Sequence, residues 1–155
     1  MKIASVNILD RHINHIVQAL DCDMICFMNP DTYEIEDVPH DFLSGMYHDE
    51  TWQEIVNRID QWKKYITIDR PDSTESVKIM QSFIDEYVPS GILKEQLNSA
   101  LALRRPDKSF HRIVENSDYR DKWMVYNRRQ MMKHIRMKLR DHMIEEPSLP
   151  TVVLR

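Results

Sequence analysis

Leu9, Ile13, Ile16 and Leu20 recur at intervals of four, three and four residues, which keeps them on one face of a helix and predicts an amphipathic helix over about residues 7–20. The period then changes. Met24-Ile-Cys-Phe-Met28 is a short apolar run and Tyr33-Glu-Ile-Glu-Asp-Val38 alternates, with the turn-forming group Asn29-Pro-Asp-Thr32 between them, so a β-hairpin is expected. In its second arm Tyr33, Ile35 and Asp37 fall on one face and Glu34, Glu36 and Val38 on the other, one side covered and one wet. Trp52, Ile55, Val56, Ile59 and Trp62 return to helical spacing within 50–63, and Tyr65-Ile-Thr-Ile68, through its β-branched residues, suits a third strand.

The second half reads as helices separated by breakers. Asp72 and Glu75 stand in capping-box relation ahead of a stripe through Val77, Met80, Phe83, Ile84 and Tyr87. Pro89-Ser-Gly91 ends it, and Ser90 is expected to cap a helix carrying Ile92, Leu93, Leu97, Ala100 and Leu101. Pro106-Asp107 breaks that helix, and a short one from 109 to 116 turns Phe110, Ile113 and Val114 inward. The last helix is expected from about 118 to 143, followed by a Pro-containing tail over 145–155.

Composition narrows the fold class. The chain has 155 residues with only two glycines, too few for a fold of many tight turns or for a glycine-rich phosphate loop. A chain of this length is expected to form one domain, here over 1–144. The fold class predicted is α+β, predominantly helical, with a small antiparallel hairpin sheet near the N-terminus packed against a C-terminal helical half. No apolar run approaches the roughly 18 to 20 residues that span a bilayer, and the start lacks the uninterrupted apolar core of a secretory signal. With Cys22 and Cys26 as its two cysteines, the chain reads as a cytoplasmic protein with reduced thiols and no membrane partner.

The net charge of −4 is ordinary, but its distribution is not. Residues 1–103 hold 8 basic and 18 acidic residues, residues 104–140 hold 12 basic and 4 acidic, and the rest hold one base and three acids. Such asymmetry points to an acidic partner, a nucleic-acid backbone or self-association. On a wheel of 100° per residue, Lys122, Arg129, Lys133, Arg136 and Arg140 of the last helix fall within a sector of about 60° and span about 27 Å. Met124, Met131, Met132, Ile135 and Leu139 gather on another side, expected to face the core. Arg104, Arg105, Lys108 and Arg112 could extend the basic field. A charged helix face is often simply solvated, and base stacking would need aromatics interleaved with the bases, whereas Trp123 and Tyr126 read as lying away from them.

Other chemistry leaves weaker marks. His12, His15, Cys22 and Cys26 have zinc-compatible side chains but lie on an apolar helix and strand, where buried cysteines and a flanking histidine pair are the commoner outcome. Cys22 or Cys26 with a distant histidine could form a nucleophile and base. The pairs Glu34 with Glu36 and Glu145 with Glu146 offer carboxylates but read as solubilising surface. No hydrolase elbow, phosphate loop, zinc-helix or dinucleotide motif occurs, so no catalytic residue, cofactor or metal is assigned. Trp52, Trp62, Phe83, Phe110 and Trp123 at helical spacing are expected in the core rather than lining a ligand groove.

The order Met80-x-x-Phe83-Ile84, Leu97-x-x-Ala100-Leu101, Phe110-x-Arg112 and Arg120-x-x-Trp123-x-x-Tyr126, ending in a basic helix, resembles the bacterial uncharacterised protein family 0158 over roughly residues 9–140. The resemblance implies a cytosolic α+β domain and brings no activity, substrate or catalytic residue. This chain departs from the family's Gly-x-Gly-Ala-Phe-Arg-Arg-Phe run: the glycines are absent, His111 replaces one arginine and Ile113 the second aromatic, while Phe110 and Arg112 keep their places. The function expected is a non-enzymatic interaction or accessory module whose basic helix face meets an acidic protein surface or a second copy. RNA or DNA phosphate-backbone binding through the same face is the second reading, and an enzyme without a recognisable motif the third.

Overall fold

The computed structural model describes the backbone of residues 2–144 and the side chains of residues 10–142. The side chain of Leu9, the Glu145 and Glu146 pair and the tail over 145–155 lie outside the described residues. Among the described residues two compact units form, one from residues 2–70 with 132–144 and the other from residues 71–131. Seven helices and a three-stranded sheet make up the described residues, the predominantly helical α+β fold that the periodicity predicts.

In the first unit α1 (Lys2–Asp21) is followed by β1 (Met24–Met28) and β2 (Ile35–Pro39). Asn29 makes the hairpin turn: its Oδ1 accepts from the backbone N–H of Asp31 at 2.9 Å, and its carbonyl accepts from Tyr33 N–H at 2.8 Å. Tyr33 closes the turn in the left-handed region at φ 64°. A short helix absent from the sequence reading, α2 (His40–Leu43), follows β2 directly. Four residues give too little periodicity to register.

Helix α3 (Glu50–Asp60) starts at Asp49, whose side chain accepts from the N–H groups of Thr51 and Trp52. It leads into β3 (Ile66–Ile68). The strand order is β2-β1-β3, antiparallel throughout, with Cys26 opposite Asp37 on one side and Ile68 on the other. Alternation therefore places Cys26, Met28, Ile66, Ile68 and Asp37 on one face of the sheet. Helix α1 covers that face through Ile13, Ile16, Val17 and Leu20, all buried, and through His15, which bonds Asp37.

The opposite face is not simply wet. Val38 is fully buried, and Glu36 is bridged to Arg58 of α3 with only 17% of its side chain exposed. The reading of Glu36 as a solvated residue is thereby corrected: helix α3 brings a cation over it, while Glu34 is exposed.

The second unit contains α4 (Ser73–Tyr87), α5 (Ile92–Leu101), α6 (Pro106–Glu115) and the first part of α7 (Arg120–Ile144). Asp72 Oδ1 accepts from Glu75 N–H at 2.8 Å, as the capping spacing predicts. Helix α5 is capped by Gly91, not Ser90, without a side-chain bond. Gly91 sits at φ 155°, ψ −169°, a region essentially reserved to glycine. Pro106 is the first residue of α6 rather than only the end of α5, because a helix's first N–H needs no partner.

Phe83 is the centre of this unit's core. Its ring lies 5.2 Å from Trp123, 5.4 Å from Tyr126, 5.3 Å from Tyr87 and 6.5 Å from Phe110. Met80, Ile84, Leu97 and Val114 fill the remaining space. Of the five aromatics expected in a core, Phe83, Phe110 and Trp123 are buried, whereas Trp52 and Trp62 are half-buried.

Candidate interaction surface

Helix α7 is continuous from Arg120 to Ile144, but its buried positions do not form one stripe. Trp123 and Tyr126 are buried in the first part and Ile135 and Leu139 in the second. Met124, expected on the apolar side, is 56% exposed, because within residues 120–131 the unit's core takes the Trp123 and Tyr126 side.

Lys122, Arg129, Lys133, Arg136 and Arg140 are all exposed. No side chain from the basic segment 104–140 takes part in any ion pair among the described residues; the cations that do include Arg58, Arg70 and Lys78. Lys122 Nζ lies 5.5 Å over the ring of Tyr119, a contact with the electron-rich face that leaves its charge uncompensated. The sequence dipole is thus not neutralised by pairs within the described chain.

Arg104 and Arg105 occupy the turn between α5 and α6 and are exposed. Arg112, on α6, lines an open groove between α5 and α6. No other member of the predicted basic set lines it. The sequence reading missed this groove, whose linear trace is the large aliphatic pair Ile92, the first residue of α5, and Leu103, in the turn that follows it.

Cys26, His15 and Asp37 come together in an order unsuited to nucleophilic catalysis. Cys26 Sγ donates to Asp37 Oδ1 at 3.2 Å, and Asp37 Oδ2 lies 2.7 Å from His15 Nε2. The carboxylate stands between thiol and imidazole, whereas activation needs the imidazole on the thiol. Burial first, then the Asp37 charge and hydrogen bond, push the Cys26 thiol far up, so it stays protonated and a poor nucleophile. Alternation within the hairpin carries a faint signal for the pair, since Cys26 and Asp37 are register partners.

His12, His15, Cys22 and Cys26 do not gather as a ligand set: Cys22 is exposed and Cys26 buried. Among the described residues, three such side chains approach within 4.8 Å at Asp23, His40 and Asp41, all exposed. Arg70 Nη2 lies 3.9 Å from Asp23 Oδ1 and already supplies a positive charge there. No helix of the described residues is long and apolar enough to cross a membrane.

These features define a predominantly helical α+β protein with a basic helix face that makes no ion pair among the described residues. The chain belongs to the Uncharacterised protein family (UPF0158), whose model matches residues 46–148. The match begins after the hairpin, later than the resemblance over residues 9–140 suggests, and takes in the whole second unit. No curated protein and no solved structure matches the chain. Met80, Phe83, Ile84, Leu97, Ala100, Phe110, Trp123 and Tyr126, which carry the resemblance, are all buried, so that order of residues records a core. Arg112 and Arg120 are its exposed members.

Proposed function

We propose that this protein is a non-enzymatic interaction module of the cytoplasm that uses the basic face of α7, centred on Arg129, Lys133, Arg136 and Arg140, to meet an acidic protein surface. The observation that carries the reading is that all five bases of the face are exposed and none is ion-paired among the described residues. Cations held on one helix face raise the local potential and favour encounter with an acidic surface, mainly through the association rate. Phosphate-backbone binding is the second reading, since a row about 27 Å long can follow several phosphates. Base stacking is not part of it, because Trp123 and Tyr126 are buried.

The test is affinity purification from native lysate, with and without nuclease, using the wild type and the Arg129→Glu, Arg136→Glu double variant. A companion protein that resists nuclease and is lost in the double variant supports the module. RNA or DNA lost in the same variant supports the second reading. Companions retained by a folded double variant remove the face from both.

A further inference from the structure

The groove between α5 and α6 lies within the second unit and has a volume of about 720 Å³. Ile92, Leu93, Leu103 and Ile113 supply its apolar wall, and Arg112 a cation. Ile92 is 75% and Leu103 56% exposed. Large aliphatic side chains gathered at a concave surface release water when a partner covers them. Arg112 has no carboxylate partner among the described residues, and neither have Arg104, Arg105 and Lys108, which lie between Leu103 and Arg112 in the chain.

The combination favours one kind of occupant. A purely apolar segment would cover Ile92 and Leu103 but leave Arg112 without counter-charge. A purely acidic chain or a nucleic-acid backbone would answer Arg112 and leave the aliphatic wall wet. Glu95, which also lines the groove, disfavours carboxylates distributed along the whole ligand. We infer that the α5–α6 groove docks an amphipathic segment of a partner protein, with aliphatic side chains seated against Ile92, Leu103 and Ile113 and a carboxylate at one end paired with Arg112. An amphipathic helix laid in an apolar groove presents its anchors at i and i+4, and a planar guanidinium suits a carboxylate bidentately. No residue of the basic face of α7 lines this groove, so the inference does not rest on that face.

The probe is a fluorescein-labelled twelve-residue peptide with leucines at i and i+4 and glutamates at one end, titrated by anisotropy into the full chain. Saturable binding is expected, about tenfold weaker in Leu103→Asp and in Arg112→Glu, partly restored in Arg112→Lys and unchanged in the Arg129→Glu, Arg136→Glu variant. Leu103 and Arg112 are exposed, so both single variants should keep the wild-type melting temperature. Amide shifts should concentrate at Ser99, Leu103 and Asn116. Absence of binding, equal binding of a peptide with serines for leucines, or equal binding by Leu103→Asp would overturn the assignment. Displacement by a short RNA as effectively as by unlabelled peptide would do so too.

Discussion

Cys26 and Asp37 face each other across the β1–β2 ladder, and the thiol donates to the carboxylate at 3.2 Å. The pair makes Cys26 an inert buried thiol, while Cys22 is exposed. An aromatic disulfide reagent at neutral pH should therefore titrate one thiol in the native protein, the second only after unfolding. Two thiols reacting at similar rates in the folded protein would contradict the geometry.

The same pair contributes to the alkaline limb of stability. The Cys26 thiol is raised above its ordinary value of 9.0 by burial and by Asp37, so the folded state holds its proton more tightly than the unfolded chain. Its contribution is complete below about pH 9 and declines above it. Denaturation midpoints should fall above pH 9 in the wild type and fall less steeply in Cys26→Ala.

His12 acts at the other end of the scale. Burial, then Arg11 and His15, lower it from 6.5, and its Nδ1 is buried without a hydrogen-bond partner among the described residues. The unfolded chain takes up this proton first, so the associated stability is present above pH 6.5 and is lost as pH falls below it. Replacing His12 by Gln should flatten the acid limb of a denaturation series between about pH 6.5 and 5. An unchanged acid limb would assign that loss to other groups.

In the second unit Phe83 contacts four aromatic rings. Phe83→Ala and Trp123→Ala should each cost about 3 to 5 kcal/mol, measured by urea denaturation. Wild-type midpoints would exclude burial of these rings.

Helix starts offer a graded test. Asp72→Ala and Asp49→Ala each remove a cap and should cost about 1 kcal/mol, because their side chains accept backbone N–H groups. Ser90→Ala should be nearly neutral, since Gly91 holds the cap position of α5. Gly91→Ala should cost about 1 to 3 kcal/mol through backbone strain alone, because a Cβ there would meet nothing within 4 Å. A reversed order of Ser90 and Gly91 effects would refute the assigned cap.

What the sequence by itself determined are features read over short windows. The stripe of α1, the hairpin with its Asn29 turn, the Asp72 cap and the aliphatic and aromatic spacing of α4 to α6 all follow from local period and propensity, which needs only a few neighbouring residues. Placement across longer distances required the tertiary structure. Glu36 became bridged because α3 lies over it, and Cys26 became inert because Asp37, its ladder partner, is bonded to its thiol. Helix α7 shows the reason most clearly. A single wheel over 25 residues assumes one apolar side, whereas its first part contributes Trp123 and Tyr126 to one core and its later part buries Ile135 and Leu139. The basic face survived that change because a charge is excluded from any core unless it is paired, and exposure of Lys122, Arg129, Lys133, Arg136 and Arg140 follows whichever side is buried.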